Sequence, residues 1–322
     1  MNFRICQMCN IKYPIFLGPM MQISKAPLVA AFSEAGGLGC LATSGISEEE
    51  FHNQISLIRM KTDFPFAINI AWAVPNAEKI VHWSIEDNVG IIIFSAGFSE
   101  KGLERIKSAG GKAFQVVANV AQALKAEELG VDGIIAKGFE SGGLNSLNAV
   151  ATLPLIPQVV DAVSIPVIAA GGIGDGRGFT AALALGAEGV LIGTGFLVTQ
   201  ESPIHDNYKN ALIGAADTHT VSLNFPSFSI RFWKNKRAME LKDDFIDDEL
   251  LWKLVSELSD MTDIQGGLLS VGQIAGLIKT CPSVREAIEE MIVGFEMTVR
   301  RLQTLSSVLE INKHPSPDVG KI

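Results

Sequence analysis

The chain has 322 residues, of which 48% are hydrophobic and 19% are charged, so it can bury a large core and lacks the composition of a disordered protein. Its formal net charge of -9 argues against nucleic acid as the main partner, because phosphate backbones are bound by basic faces. No apolar run approaches the roughly 20 residues of a membrane span. The N-terminus lacks the apolar core of a signal peptide, so we expect a cytoplasmic protein with no membrane partner.

Eight short β-rich runs recur along the chain, with helical stretches between them. Each is a continuous apolar run, which is the pattern of parallel strands buried on both faces. Eight consecutive βα units predict the α/β class and a closed (β/α)8 TIM barrel, in preference to an open doubly wound sheet. The predicted strands are 13–18, 37–42, 64–70, 90–96, 112–118, 132–138, 165–172 and 189–195.

The connecting helices carry start and stop signals. Ser24 is predicted to cap a helix that ends at residues 36–37, where two glycines follow one another. Asp175 precedes a second helix, which Gly186 ends. These signals place short loops between strands and helices, as a barrel requires.

The composition of the sequence changes after the predicted eighth strand. Residues 1–206 form the predicted barrel, and 207–275, which are richer in charge, are predicted to be a mostly helical lid inserted after strand eight. Residues 276–322 hold a C-terminal helix that completes the barrel, and a tail. Ser283 and Glu286 form a capping box at the start of that helix.

Two charged groups stand out in the predicted lid. The acidic stretch covers 243–249, and the basic cluster consists of Arg231, Lys234, Lys236 and Arg237. A solvated helix face is the favoured interpretation of the basic cluster, and contact with a phosphate-bearing ligand is the alternative.

The four cysteines are too few for a disulfide framework in a chain of this length. Cys6 and Cys9 form one C-x-x-C pair, but no second pair of ligands follows with the spacing of a structural zinc site. We therefore expect no metal site.

Glycine-rich turns follow strands seven and eight. Gly171 and Gly172 lie in the first turn, and Gly193 and Thr194 in the second. Glycines let several backbone N–H groups approach one phosphate, and in TIM barrels these two loops commonly bind one. A Rossmann fingerprint fits less well, because its third glycine is misplaced and no acidic residue follows at the right distance. The remaining alternative is that these glycines only permit tight turns.

Other residues of interest follow strands one, three and six. Gly18, Pro19 and Met20 end the first strand, Asn69 ends the third, and Lys137, Gly142 and Gly143 follow the sixth. Backbone turns and a methionine suit an aromatic ring system. A core methionine and a surface lysine are the plain alternatives.

Together these segments resemble the nitronate monooxygenase (2-nitropropane dioxygenase) and FMN-dependent enoyl-ACP reductase II family. The resemblance preserves order and spacing over nearly the whole chain, and the run 165–202 is its most specific part. The segments that carry it are YPIFLGPMMQIS (13–24), FSEAGGLGCLA (32–42), FAINI (66–70), GFESGG (138–143), the run 165–202 and GQIAGLI (272–278).

The resemblance implies a TIM barrel that binds FMN without a covalent bond. Around the flavin ring it places Gly18, Pro19, Met20, Asn69 and Lys137. Around the ribityl phosphate or its approach it places Gly142, Gly143, Gly171, Gly172, Gly193 and Thr194. It also implies that 207–275 form a substrate lid.

One position departs from the family pattern. Relatives carry a histidine after the glycine pair, as the proton-handling group, and this chain has Leu144. A leucine cannot exchange a proton, so the usual acid–base step is lost or relocated. Lys137 and Asn145 are the nearest polar candidates for a catalytic role, together with Glu140 and Ser141.

Three functions follow from these observations. The first is oxidation of alkyl nitronates by O2 with FMN, because a nitronate is already a carbanion equivalent and needs no enzymatic base. The second is an enoyl-thioester reductase with NAD(P)H as reductant, which adds acyl carrier protein as a partner. The third is a flavin-binding relative without the usual catalysis. The substrate is a small molecule or an acyl thioester, and a homodimer is the assembly considered.

Overall fold

The computed structural model describes residues 3–242 and 263–308; the acidic stretch 243–249 lies outside them. The central element is an eight-stranded parallel barrel, so the predicted TIM barrel is confirmed. Neighbouring strands follow the order β1-β9-β8-β6-β5-β4-β3-β2. Its strands are β1 (Ile15–Leu17), β2 (Gly39–Ala42), β3 (Phe66–Ala71), β4 (Ile91–Ser95), β5 (Lys112–Val117), β6 (Gly133–Lys137), β8 (Val167–Ala170) and β9 (Gly189–Ile192).

The barrel closes between its first two strands. Phe16 and Leu38 form a parallel bridge, and Leu38 N–H donates to Ile15 O at 2.9 Å while Leu17 N–H donates to Leu38 O at 2.9 Å. Phe16 and Phe114 come from opposite strands, and their rings meet edge to face with centroids 5.6 Å apart. Both side chains are fully buried. The barrel below its mouth, which we call the lower barrel, is therefore a packed core and not a pore.

Helices surround this barrel. They are α1 (Arg4–Cys9), α2 (Ala26–Glu34), α3 (Glu48–Arg59), α4 (Ala77–Glu86), α5 (Glu100–Ser108), α6 (Val120–Glu128), α7 (Thr152–Ala162), α8 (Gly176–Ala184), α9 (Thr194–Leu197), α10 (Asp206–Ile213), α11 (Lys236–Leu241) and α12 (Val284–Val308), with a 3-10 helix η1 (Gln273–Leu277) before the last. No helix in the described part of the chain is long and apolar enough to cross a membrane.

The structure confirms one of the two predicted helix caps and contradicts the other. Asp175 caps α8 as predicted, since its carboxylate accepts the N–H groups of Arg177 and Gly178. Ser24 is not a cap, because α2 begins at Ala26 without a side-chain cap. Ser24 Oγ instead accepts Met20 N–H at 3.0 Å and bonds to the turn after β1.

The insertion after β9 contributes two strands to a second, three-stranded sheet, which the sequence analysis does not predict. Strands β10 (Thr220–Asn224) and β11 (Phe228–Trp233) form a hairpin, and β11 also pairs with β7 (Gly143–Ser146). The prediction of a mostly helical lid over 207–275 therefore needs correction in its described part. The hairpin has its own apolar cluster, centred on Leu223, Ile230 and Phe232.

The insertion leaves and rejoins the barrel at neighbouring points. Gln200 N–H donates to Pro282 O at 3.0 Å, and the carboxylate of Glu201 accepts Val284 N–H at 2.9 Å. The capping box of α12 is confirmed, because Glu286 accepts Ser283 N–H at 2.7 Å and Ser283 Oγ accepts Glu286 N–H at 3.3 Å.

Helix α12 then packs against α8 and α2. At its crossing with α8, a Cβ on Gly176 would lie 2.3 Å from Phe295 N, so only glycine fits there.

Candidate active site

The turns after β1 and β9 meet backbone to backbone at the barrel mouth. Gly18 N–H donates to Ile192 O at 2.8 Å, and a Cβ on Gly18 would lie 2.9 Å from the Gly193 Cα. The side chain of Met20 comes next to Gly193, with Sδ 3.7 Å from where a Cβ would stand. The structure therefore brings together three predicted site residues, with Pro19 between Gly18 and Met20.

The loop after β6 and the segment before α12 meet the turn after β9. Thr194 Oγ1 accepts Gly272 N–H at 2.9 Å, and a Cβ on Gly142 would lie 2.7 Å from Gly272 N. Gln273 N–H donates to Glu140 O at 2.9 Å, which ties η1 to the same loop. Gly272 begins the segment GQIAGLI, one of those that carry the family resemblance, and the structure brings it to this junction.

Glu140 links this junction to the turn after β8. Its carboxylate accepts Thr152 N–H at 2.9 Å and lies 2.9 Å from Thr152 Oγ1. A Cβ on Gly172 would stand 3.4 Å from the same carboxylate. Gly171 and Gly172 have φ of 91° and 69°, a left-handed backbone that favours glycine.

We call this group of neighbouring turns the glycine cradle, which consists of Gly142–Gly143, Gly171–Gly172, Gly193–Thr194 and Gly272. Its glycines are of two kinds. Gly142, Gly171 and Gly272 pack against other backbone, whereas a Cβ on Gly143 or Gly193 would make only ordinary van der Waals contacts, at 3.9 Å from Ser270 and 3.7 Å from Met20 respectively. The latter two positions are therefore the less crowded ones. Backbone N–H groups in such turns fit the phosphate of a nucleotide-like cofactor.

Asn69 is fixed on the inner wall of the barrel mouth. It is 5% exposed, and its Nδ2 donates to Ile93 O at 2.9 Å and Ser95 Oγ at 3.0 Å. Thr43 Oγ1 donates to the Asn69 carbonyl at 2.5 Å. Sequence analysis missed Ser95 and Thr43. Their position at the ends of strands four and two is the signal that identifies them as mouth residues.

Lys137 ends β6, level with Ala170 on the neighbouring strand. Its Nζ donates to the carbonyl of Leu144 at 2.5 Å. The surrounding protein desolvates the amino group and lowers the pKa of Lys137 to about 8, although part of the side chain still meets solvent. The lysine thus sits at the mouth and holds the backbone of the residue that replaces the family histidine.

Leu144 and Asn145 lie on β7 and point to opposite faces of the small sheet. Leu144 pairs with Ile230 and is 42% exposed. Asn145 is 3% exposed; its Nδ2 donates to Ser141 O at 3.0 Å and Gly143 O at 3.1 Å. In this structure the Asn145 amide ties the loop together.

Arg231 is a buried cation on β11, opposite Gly143 in the strand ladder. Its guanidinium carbon lies 4.6 Å from the centroid of the Phe139 ring. The expected solvated helix face is therefore wrong for this member of the basic cluster, whereas Lys234 and Lys236 are exposed.

The thiols take no part in this site. All four cysteines are free, and burial raises the pKa of the Cys9 thiol to about 12. Within residues 3–242 and 263–308, no group of three or more His, Cys, Asp or Glu side chains is arranged to hold a metal ion.

Comparison with known proteins gives a consistent result. The sequence model of the nitronate monooxygenase family matches residues 2–84 and 68–294. A Staphylococcus aureus protein named "probable nitronate monooxygenase" is 31% identical over 300 residues, which cover 80% of this chain and 84% of the relative.

Solved structures share both the fold and much of the sequence. FabK from Thermotoga maritima superposes with a TM-score of 0.89 and 36% identity, over 95% of this chain and 99% of FabK. Nitroalkane oxidase from Streptomyces ansochromogenes superposes with a TM-score of 0.83 and 25% identity, over 92% of this chain and 99% of the oxidase.

Proposed function

This chain belongs to the nitronate monooxygenase family, and we propose that its reaction is the oxidation of alkyl nitronates by O2 with FMN as cofactor. Flavin use is common to the family and its structural neighbours. The glycine cradle supports the choice of FMN, because it brings the glycine turns after β6, β8 and β9 together, and glycines let backbone N–H groups approach a phosphate.

The observation that carries the choice of reaction is Leu144. The position of the family's proton-handling histidine holds an apolar, partly exposed side chain on β7. A nitronate has already lost its acidic proton, so its oxidation needs no enzymatic base, whereas a neutral nitroalkane would first have to be deprotonated. A substrate that arrives as an anion is therefore the one that this site can use.

Three polar residues at the barrel mouth would have different roles in the proposed reaction. When bound, FMN supplies the redox chemistry, accepting electrons from the nitronate and passing them to O2. Lys137, at the end of β6, would provide a cation towards the flavin ring, and Asn69, on β3, would help to position the ring. Asn145 would position the loop that carries Gly142 and Gly143, and so act on the cofactor indirectly.

An enoyl-thioester reductase is the second candidate, because FabK, an enoyl-ACP reductase II, shares 36% identity with this chain. In that case NAD(P)H would be the reductant and acyl carrier protein a partner. The α-carbon of the substrate would need a proton donor other than the family histidine. A flavin-binding relative without either activity is the third candidate.

The deciding experiment is an anaerobic spectrum of the purified, FMN-loaded protein. We expect a nitronate, such as the anion of 2-nitropropane, to bleach the flavin absorption, and admission of O2 to restore it. Rapid bleaching by NADPH or NADH with no response to the nitronate would favour the enoyl reductase. A flavin that none of these reduces would favour the inactive relative, and a protein that binds no flavin would overturn all three.

A further inference from the structure

Arg231 is a buried cation whose positive charge is poorly compensated by neighbouring groups of the protein. It is 4% exposed, and its two hydrogen bonds, to Thr220 Oγ1 at 3.3 Å and Phe139 O at 3.4 Å, are long and go to neutral acceptors. Its Nε has no hydrogen-bond partner. Within the described ranges no carboxylate forms an ion pair with it. Burying a charge in this way is costly unless an anion comes near.

The strand that carries Arg231 packs against the loops of the glycine cradle. The Arg231 backbone pairs with Gly143 on one strand, and its carbonyl accepts Val271 N–H at 3.3 Å. Val271 itself packs on Gly142, with its carbonyl carbon 2.8 Å from where a Cβ would stand. The backbone of Arg231 therefore adjoins the part of the glycine cradle formed by Gly142, Gly143 and Gly272. Its guanidinium reaches the same loop through Phe139, on whose ring and carbonyl it packs.

The nearest acidic group is already engaged elsewhere. Glu140 is close enough to favour the charged form of Arg231, but its carboxylate is bonded to the backbone and hydroxyl of Thr152. A loop carboxylate thus offsets part of the charge and leaves the guanidinium without a direct anionic partner.

We propose that Arg231 supplies the positive charge that compensates the phosphate of the bound flavin nucleotide, acting from the strand next to the Gly142–Gly143 turn. This inference rests on the proposed FMN cofactor and goes beyond it, because it assigns a charge to a cradle otherwise made of backbone and one hydroxyl. Helix and backbone dipoles carry only partial charges, whereas a phosphate carries nearly two full ones. A cation in a desolvated position next to the turn would strengthen binding of FMN over that of a flavin without phosphate.

The rival explanation is that Arg231 only clamps the loop, through Phe139. A clamp would act on the shape of the site, and therefore on every flavin that enters it. A compensating charge would act on the phosphate alone. Riboflavin, which has the same ring and ribityl chain without the phosphate, separates the two explanations.

The experiment measures the dissociation constants of the full-length protein for FMN and for riboflavin, from flavin fluorescence as each loaded protein is diluted. We expect Arg231→Met to weaken FMN binding by about tenfold to a hundredfold and riboflavin binding by less than about twofold. Arg231→Lys should keep most of the preference for FMN. Lys234→Met removes one positive charge from an exposed position on the same hairpin and should change neither constant.

Equal loss of both flavins in Arg231→Met would overturn the proposal in favour of the clamp, and so would no loss of either. If Arg231→Met folds poorly, Arg231→Gln takes its place, because it keeps a hydrogen-bond donor and removes the charge. A wild-type protein that binds neither flavin would instead refute the FMN proposal, so the two failures are distinguishable.

Discussion

The lower barrel and the barrel mouth are formed by the same eight strands but differ in how their interiors are packed. In the lower barrel, side chains such as Phe16 and Phe114 reach across the interior and fill it. At the mouth, Gly143 and Gly193 have no side chain, and a Cβ there would make only ordinary van der Waals contacts. Under the proposed function, substitutions in the two regions should therefore separate stability from cofactor binding.

The largest effect is expected in the lower barrel. Phe114→Ala should reduce the free energy of unfolding by about 3–5 kcal/mol, because it leaves a cavity in a fully buried core. Denaturant unfolding measures this change. The matched control is Phe64→Ala, since Phe64 is 53% exposed, and it should cost less than about 0.5 kcal/mol. Similar losses in both variants would contradict a packed interior.

The complementary change at the mouth is Gly193→Val. We expect flavin occupancy per chain to fall sharply while unfolding of the flavin-free protein stays nearly unchanged, because the new side chain enters room that the cofactor would use. Gly193 has a φ of -100°, so valine causes no backbone strain. Gly90→Val, at an exposed glycine before β4 with nothing near it, should retain full occupancy. Full occupancy in Gly193→Val would mean that the phosphate is held elsewhere.

A smaller effect is expected where the mouth loop is tied together. Asn145→Ala should cost about 1–3 kcal/mol of unfolding free energy, because the carbonyls of Ser141 and Gly143 lose their donor in a buried setting. Asn148→Ala, at an exposed position a few residues along, is the control. If Asn145 acts on the loop and not on the substrate, added FMN should restore activity to the variant.

The smallest effect concerns the pH dependence of stability. The pKa of Lys137 is about 8 in the folded protein, against the ordinary lysine value of 10.5, so between these two pH values the unfolded chain binds the extra proton. Stability should therefore rise with pH across that window. Lys137→Met should lack this rise, and Lys101→Met, at an exposed position on α5, should retain it. Denaturant unfolding from pH 7 to 10 measures the difference, and parallel curves for all three proteins would refute the lowered pKa.

The barrel was predictable because its strands are buried on both faces and read as continuous apolar runs. The first strand of the hairpin, β10, was missed because it is buried on one face only. Val221 and Leu223 alternate with polar residues, and this period of two is the signal that would have revealed it. Arg231 shows the limit of local reasoning, since only its pairing with Gly143 places this charged residue inside.

The candidate site was predicted at the level of loops and not of contacts. Glycine-rich turns after strands one, six, seven and eight indicated the mouth, because parallel strands end on the same side of a barrel. The bonds of Glu140 to Thr152 and of Thr194 to Gly272 join segments far apart in sequence, and no local pattern encodes them. Ser24 was assigned to a helix cap from its neighbours, whereas the fold uses its hydroxyl for the turn that carries Met20.

The junction at Gln200 and Pro282 has a consequence for how this protein can diversify. Because Gln200, where the chain leaves the barrel, is hydrogen-bonded to Pro282, where it returns, the intervening segment can change in length while the closing helix keeps its place. Insertions, deletions or transplanted segments there would alter the residues that lie near the barrel mouth. The sequence that folds into the barrel would stay unchanged. With such a layout, substrate specificity can change in evolution while the barrel sequence is retained.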